Sequence, residues 1–177
     1  MGISLKNSTL QALQPLIGLP MWSGGRAANL VWLQFGTKRT VVDRSGENEV
    51  GDFALHLQCF WRIRDSKTIF VAASDRFYPR GDPFEEAEDF DWTEPNMNRC
   101  DEKLEELFHG RRASYLVVQS IQTDKYGGFS LSFRASLKLE VYLDDTVDSE
   151  KWRIFRPRSE DKHFVVTKVL SLDKPPR

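Results

Sequence analysis

The feature that most constrains the fold is a strict alternation of apolar and polar side chains from Ser130 to Leu143. A period of two turns one face of a strand toward a core and the other toward water, which is typical of an antiparallel sheet. Fourteen residues exceed the usual strand length, so we expect a bend near Ala135–Ser136. The apolar positions are Leu131, Phe133, Ala135, Leu137, Leu139, Val141 and Leu143.

A second alternating stretch runs from Phe53 to Arg64 and predicts one long strand. Its apolar face holds Phe53, Leu55, Leu57, Cys59, Trp61 and Ile63. Its other face holds Ala54, His56, Gln58, Phe60, Arg62 and Arg64. A short turn then leads into residues 68–74, so we expect these two strands to pair as a hairpin.

One helix is well marked near residues 98–109. Asn98 can cap it, and Asp101 and Glu102 suit the positive end of the helix dipole. Apolar residues follow at helical spacing, and Gly110 can end the helix. Elsewhere the pattern predicts a short helix ending near Pro15, a single strand over 27–35 and a loop over 37–52.

Together these patterns predict an α+β fold, predominantly an antiparallel β-sheet of about seven to nine strands. The sequence leaves open whether the sheet is barrel-like or sandwich-like. With 177 residues, 40% of them apolar and 29% charged, we expect a single domain over 1–177. Residues 77–97 form a long acidic connection, and we expect residues 173–177 to be a frayed tail.

Several features bear on location and partners. The first residues lack a basic stretch followed by an apolar run, and no stretch is long enough to cross a membrane, so we expect a cytoplasmic protein. Between Asp82 and Glu106 there are eleven acidic residues and two basic ones. That segment is either a solvated face or an acidic docking edge.

The sequence shows no recognisable catalytic or metal-binding arrangement. The two cysteines, Cys59 and Cys100, fall on apolar faces, which favours core positions over nucleophiles. The histidines have no metal-ligand spacing, and Gly24-Gly25-Arg26 is too short for a phosphate loop. We therefore expect no catalytic residues, no metal and no cofactor.

The candidate binding residues centre on the polar face of the second alternating stretch. A concave, half-covered surface there could hold an anion or a partner's carboxylate through guanidinium groups. The alternative is that Arg62 and Arg64 bridge to the acidic segment. The proposed ligand- or partner-binding set is Arg26, Trp32, His56, Gln58, Arg62, Asp75 and Arg76.

Five stretches carry a resemblance to a known family: IGLPMWSGGRAANLVWLQFG, GDFALHLQCFWRI, DRFYPRGDP with DFDW, DKYGGF, and SEKWRIFRP with HFVVT. Over roughly residues 17–168 the chain resembles a family of small bacterial proteins that share a domain of unknown function. The resemblance implies a bacterial origin and a single domain, and it brings no site residues with it. Some β-rich bacterial proteins of this size and acidity serve as immunity partners of toxins, which is an analogy at the level of the fold.

Two functional hypotheses follow. The first is a non-enzymatic bacterial binding protein, of the immunity type or otherwise recognising a protein partner. The second is a protein that binds a small anionic ligand, or an enzyme, with a pocket on the His56 and Arg62 face. Nucleic acid is disfavoured as a partner, because a chain with a pI near 6.3 lacks the general positive charge of nucleic-acid binders. The sequence leaves the oligomeric state open.

Overall fold

The computed structural model describes residues 4–44, 46–84 and 90–167. Residues 85–89 of the acidic connection and the predicted frayed tail lie outside the described residues. The helices are α1 (Leu5–Leu13) and α2 (Arg99–His109), with four short 3₁₀ turns at Gln14–Leu16, Ala73–Phe77, Ala113–Tyr115 and Arg134–Ser136. The strands are β1 (Met21–Ala27), β2 (Leu30–Phe35), β3 (Arg39–Asp43), β4 (Gly46–Val50), β5 (Phe53–Leu57), β6 (Phe60–Arg64), β7 (Ile69–Ala72), β8 (Ser120–Thr123), β9 (Phe129–Ser132), β10 (Lys138–Tyr142), β11 (Trp152–Phe155) and β12 (Phe164–Val166).

The strands form two five-stranded sheets and a separate hairpin. Sheet I has the order β1-β2-β5-β11-β12, sheet II has the order β7-β6-β10-β9-β8, and β3 pairs with β4. Every pairing of these strands is antiparallel, and the sheets do not close into a barrel. The predicted α+β class, the antiparallel sheets and the helix near 98–109 are confirmed.

The inner faces of both sheets meet in one buried apolar cluster. Leu33 and Leu55 of sheet I and Ile63 and Leu139 of sheet II are each 0% exposed. Fully burying a side chain of this size stabilises a fold by about 1.5–3 kcal/mol. The apolar faces predicted by the period-two pattern are therefore the faces that build the core, except at Ala135, which is exposed in the turn between β9 and β10.

The prediction of one strand over 53–64 is wrong. The chain leaves sheet I after Leu57, turns at Gln58–Cys59 and enters sheet II at Phe60. Both halves keep their apolar side chains toward the same core, so the alternation continues through the corner. Because the period does not change, the sequence carries no sign of the crossing.

The stretch from Ser130 to Leu143 bends where predicted, and the bend is sharp enough to make a hairpin of β9 and β10. The turn places Ala135 (φ 53°) and Ser136 (φ 60°) in the left-handed region. Two further differences raise the strand count to twelve in the described residues. Residues 21–35 form the β1–β2 hairpin, and the predicted loop over 37–52 contains the β3–β4 hairpin.

Helix α2 has the predicted cap and the predicted buried stripe. The Asn98 side chain accepts a hydrogen bond from the backbone N–H of Asp101 at 3.0 Å. Cys100, Leu104 and Leu107 are buried, and the helix packs against β1, β7 and the 3₁₀ turn Ala73–Phe77. This position places α2 beside the outer edge of sheet I.

Candidate functional site

The structure distributes the seven predicted binding residues over three places. Trp32, His56 and Gln58 belong to sheet I or its end, Arg62 belongs to sheet II, and the remaining three lie around α2 and the connection before it. His56 and Arg62 both face away from the core, but they do so on different sheets. The expected common surface is not formed, because the chain crosses between the sheets at Gln58–Cys59.

Arg26 is a buried structural residue. Its side chain is 2% exposed and forms a two-point ion pair with Asp101, with Nε–Oδ1 at 3.1 Å and Nη2–Oδ2 at 3.0 Å. It also donates to the backbone carbonyls of Ala28 (2.7 Å) and Glu94 (3.0 Å). The guanidinium therefore ties β1 to α2 and to the connection before it.

Asp75 and Arg76 lie in the 3₁₀ turn after β7. The Asp75 carboxylate accepts a hydrogen bond from the N–H of Ala72 at 2.8 Å and so caps the turn. The Arg76 guanidinium lies over the rings of Phe77 (4.6 Å) and Trp92 (5.8 Å), and its Nε has no hydrogen-bond partner. Burial lowers the pKa of Arg76.

His56 lies opposite Trp32 on β2 and Arg153 on β11. Its ring meets the Phe155 ring edge to face at 4.8 Å, and its Nδ1 is buried without a hydrogen-bond partner. Burial lowers the pKa of His56, and the charge of Arg153 lowers it further. The neighbouring Gln58 side chain donates to Glu150 at 3.3 Å. His56 thus lies beside an aromatic ring with its pKa lowered, and the nearby Arg153 is already paired with Glu150.

Among the described residues, the carboxylate partner of Arg62 is Glu140, and the two belong to a cluster on the outer face of sheet II. Arg62 donates through Nε to Oε2 of Glu140 at 2.6 Å, and Arg64 donates twice to Oε1 at 3.0 and 2.8 Å. Burial by itself raises the pKa of Glu140, but the hydrogen bonds from Arg64 and Arg62 outweigh it and hold the pKa below its usual value. Among the described residues, Arg62 and Arg64 bond to a carboxylate of β10 and to none of the acidic segment, contrary to the expected bridge.

A cleft lies between β1 and α2, and we call it the edge cleft. Its volume is about 570 Å³, within the range of ligand pockets. Residues 22–26 of β1 form one wall, Leu104, Glu105, Phe108 and His109 of α2 form another, and Arg80, Pro95 and Asn96 lie at its rim. Of the predicted residues, the cleft contains Arg26 and Trp32.

The β1 wall of the edge cleft is an open strand edge. In the described residues β1 pairs with β2 on one side only, while residues 116–118 pair with the chain before β1 and stop at Met21. A bulge follows at Trp22, where the register shifts between Met21 and Ser23. Beyond it, Gly24 and Gly25 have no side chains, and an added Cβ would meet Leu33 at 2.7 Å and the Trp32 ring at 2.6 Å respectively.

The arginines in the edge cleft are already paired. Arg26 bonds to Asp101 at the base, and Arg80 lies 2.5 Å from Glu105 across the rim. The apolar part of the lining comes from Trp22 and Trp32 together with Phe108 of α2. The Trp22 Nε1 is buried and has no hydrogen-bond partner. The cleft thus has an aromatic surface and an open backbone edge, and both of its arginines are paired with carboxylates.

The thiols do not provide a nucleophile. Cys59 and Cys100 are free and buried, and burial raises the pKa of each to about 12. A thiol with that pKa stays protonated at neutral pH and is a poor nucleophile. Within residues 4–44, 46–84 and 90–167, no group of three or more His, Cys, Asp and Glu side chains is placed to hold a metal ion.

Sequence reasoning missed most of the edge cleft. The Gly24-Gly25 pair next to Trp22 was a visible signal, because adjacent glycines in a strand often mark close approach of another backbone. Arg80 and His109 gave no such signal, since they reach the cleft only through the packing of α2 against β1 and the contact of Arg80 with Glu105 of α2. A search of family models, of curated proteins and of solved structures found no match for this chain. In the part of the chain that the structure describes, every helix is too short or too polar to span a bilayer.

Proposed function

We propose that this chain is a non-enzymatic binding protein of the immunity type, which recognises an extended segment of a protein partner in the edge cleft. The observation that carries the proposal is the open edge of β1, which forms one wall of the edge cleft. An extended peptide that lies along this edge adds a strand to sheet I. Main-chain hydrogen bonds then supply affinity, and the neighbouring pockets supply specificity.

The local geometry of β1 suits such a peptide. Alternate residues of an antiparallel strand direct their N–H and C=O groups away from their partner strand, so residues 22–26 present free groups to the cleft. The Gly24-Gly25 pair lets the Trp32 ring and the Phe108 side chain pack directly against the backbone of β1, which brings these aromatic walls of the cleft next to the strand. The bulge at Trp22 turns that aromatic side chain into the same cleft.

The surface around the rim has the composition of a protein interface. Tyr78 and Met97 are 45% and 42% exposed, and they lie close in sequence to the rim residues Arg80 and Asn96. Phe77 is 50% exposed beside them. Aromatic residues, methionine and arginine are enriched in protein interfaces, and the strongest contributions to binding usually come from such residues.

The charges in the cleft favour a peptide over a small anion. A small anionic ligand needs a free cation to orient it, and Arg26 and Arg80 each already contact a carboxylate. The residues predicted for the anion site are also divided between two sheets. The alternative hypothesis therefore has no specific support in this cleft.

The test is a selection of random linear peptides displayed on phage against the intact protein. We expect peptides that bind with micromolar or better affinity. A series of each selected peptide with a single backbone N-methyl group then tests the binding mode. N-methylation at alternate positions should abolish binding, because only alternate amides of an added strand bond to β1. Equal tolerance at every position would contradict strand addition.

A matched pair of variants locates the binding site. His109→Trp places a bulky ring on the α2 wall of the cleft, whereas Glu106→Trp places the same ring on an exposed position of α2 outside it. We expect the first variant to weaken peptide binding about tenfold or more, which corresponds to about 1.4 kcal/mol. The second should change the affinity by less than about twofold. Equal effects, or no effect of either, would place binding elsewhere.

A further inference from the structure

The outer face of sheet II carries an uncompensated group of positive charges, which we call the cation block: Arg62 and Arg64 of β6 with Lys138 and Glu140 of β10. The register places Arg62 directly opposite Glu140 and Arg64 directly opposite Lys138. Two of these three cations pair with the one carboxylate, and the four adjacent residues have a net charge of +2.

The arrangement inside the cation block is electrostatically unfavourable by itself. Like charges directly opposite each other on paired strands are destabilising, and Arg64 and Lys138 form such a pair. Both arginines turn toward Glu140, whose side chain is 7% exposed, and Lys138 has no ion pair among residues 4–44, 46–84 and 90–167. An anion bound from solution would relieve this repulsion.

The arginines remain accessible after pairing with Glu140. Each side chain is 33% exposed, and Arg62 uses one of its five N–H groups, the Nε–H, to reach the carboxylate. Glu140 fixes the two guanidinium groups side by side, so the arginines lose little further freedom when a ligand binds. A fixed guanidinium pair of this kind is suited to planar carboxylates.

The surface beside the cation block is rich in hydroxyl groups and includes a depression of about 230 Å³, which Ser130 and Tyr142 line together with Asp124. Ser130 and Ser132 of β9 lie opposite Glu140 and Lys138, and Ser120 of β8 continues the second row. Tyr142, 41% exposed, lies under the Arg62 guanidinium at 5.9 Å. Short side chains leave room for a ligand beside Lys138, and their hydroxyls can donate hydrogen bonds to it.

From this geometry we infer a second binding site, separate from the edge cleft, in which the cation block and the adjoining serines bind the carboxylates of an acidic protein segment. The block contains three cations, and the neighbouring β9 and β8 positions carry serines and Gln122 rather than further basic residues. A nucleic-acid surface usually extends the positive charge along the path of the phosphate backbone, which favours the carboxylate ligand here. The inference does not depend on strand addition at β1.

The test titrates the intact protein with poly-L-glutamate at low salt and follows the backbone amide signals by NMR. We expect shifts at Ser130, Ser132 and Lys138 that disappear at high salt, because screening weakens exposed charge contacts. Absence of these shifts at low salt would overturn the inference. A parallel titration with oligodeoxythymidine tests the other polyanion, and tighter binding of that probe at the same amides would overturn the acidic-protein ligand.

The informative variant is Lys138→Ala. Removing Arg62 or Arg64 instead would take away one of the two partners of the buried Glu140 carboxylate and disturb the fold. Lys138→Ala removes a like charge, so it should keep or slightly raise the melting temperature. It should weaken poly-L-glutamate binding about two- to fivefold. Lys162→Ala, at an exposed lysine outside the block, is the matched control and should leave binding unchanged. Equal binding by the two variants would refute the role of Lys138.

Discussion

The ion pair between Arg26 and Asp101 gives the sharpest prediction about stability. The Arg26 side chain is 2% exposed and that of Asp101 is 9% exposed, so neither charge is solvated if the other is removed. Arg26→Met removes the guanidinium and retains much of the apolar stem. The variant leaves the Asp101 carboxylate with the backbone N–H of Asn96 as a donor and no countercharge.

The expected size of the effect follows from that burial. Removing one partner of a buried ion pair costs about 3–5 kcal/mol. In a chain of this length each kcal/mol lowers the melting temperature by about 2–4 °C, so Arg26→Met should melt about 6–20 °C lower. Arg39→Met is the matched control, because Arg39 is 49% exposed and lies 3.8 Å from Asp52. It should cost no more than about 1 kcal/mol.

A double-mutant cycle tests the cause. Asp101→Asn removes the buried negative charge, so the double variant contains neither charge and should be much more stable than the sum of the two single effects predicts. Urea unfolding followed by circular dichroism measures each free energy of unfolding. Additive effects, or a loss below about 1 kcal/mol in Arg26→Met, would refute the assignment of Arg26 as the structural link between β1 and α2.

Three further predictions concern single positions. Glu140→Gln should cost about 1–3 kcal/mol at neutral pH. Because the pKa of Glu140 is lower in the folded state, its contribution is full above the unfolded pKa of about 4.3 and is lost as the pH falls through the folded pKa, so urea unfolding should show the two proteins converging in acid. Cys59 and Cys100 should resist a thiol reagent at pH 8 until the protein is unfolded, and rapid labelling of the native protein would contradict their burial. Ala135→Gly should raise the free energy of unfolding by about 0.5–1 kcal/mol, because glycine adopts the positive φ without strain, and a lower value would contradict the turn geometry.

The sequence predicted the local patterns well and the long-range arrangement poorly. The apolar faces of 53–64 and 130–143 and the Asn98 cap depend on neighbouring residues, so they could be read directly. The corner at Gln58–Cys59 could not, because a chain that turns from one sheet to another over a common core keeps its period of two. That one corner places His56 and Arg62 on different sheets, so they do not form the expected common surface.

The candidate sites also depend on contacts between residues that are far apart in the sequence. Arg62 was singled out for its polar face, but its partner Glu140 is 78 residues away and the register alone makes them neighbours. Arg26 was expected at the border of a binding surface, and its burial under α2 makes it a structural residue. The edge cleft depends on which strand is left at the rim of sheet I, and strand order is not encoded in any local pattern.

The position of β11 in sheet I has a consequence for how the chain reaches its native state. β5 pairs with β2 on one side and with β11 on the other, and nearly one hundred residues separate β5 from β11. During synthesis on the ribosome, β5 therefore emerges long before β11. One edge of β5 stays unpaired while the chain of sheet II is synthesised. An unpaired edge of this kind is open to pairing with other nascent chains, and pairing between strands so far apart in the chain slows folding.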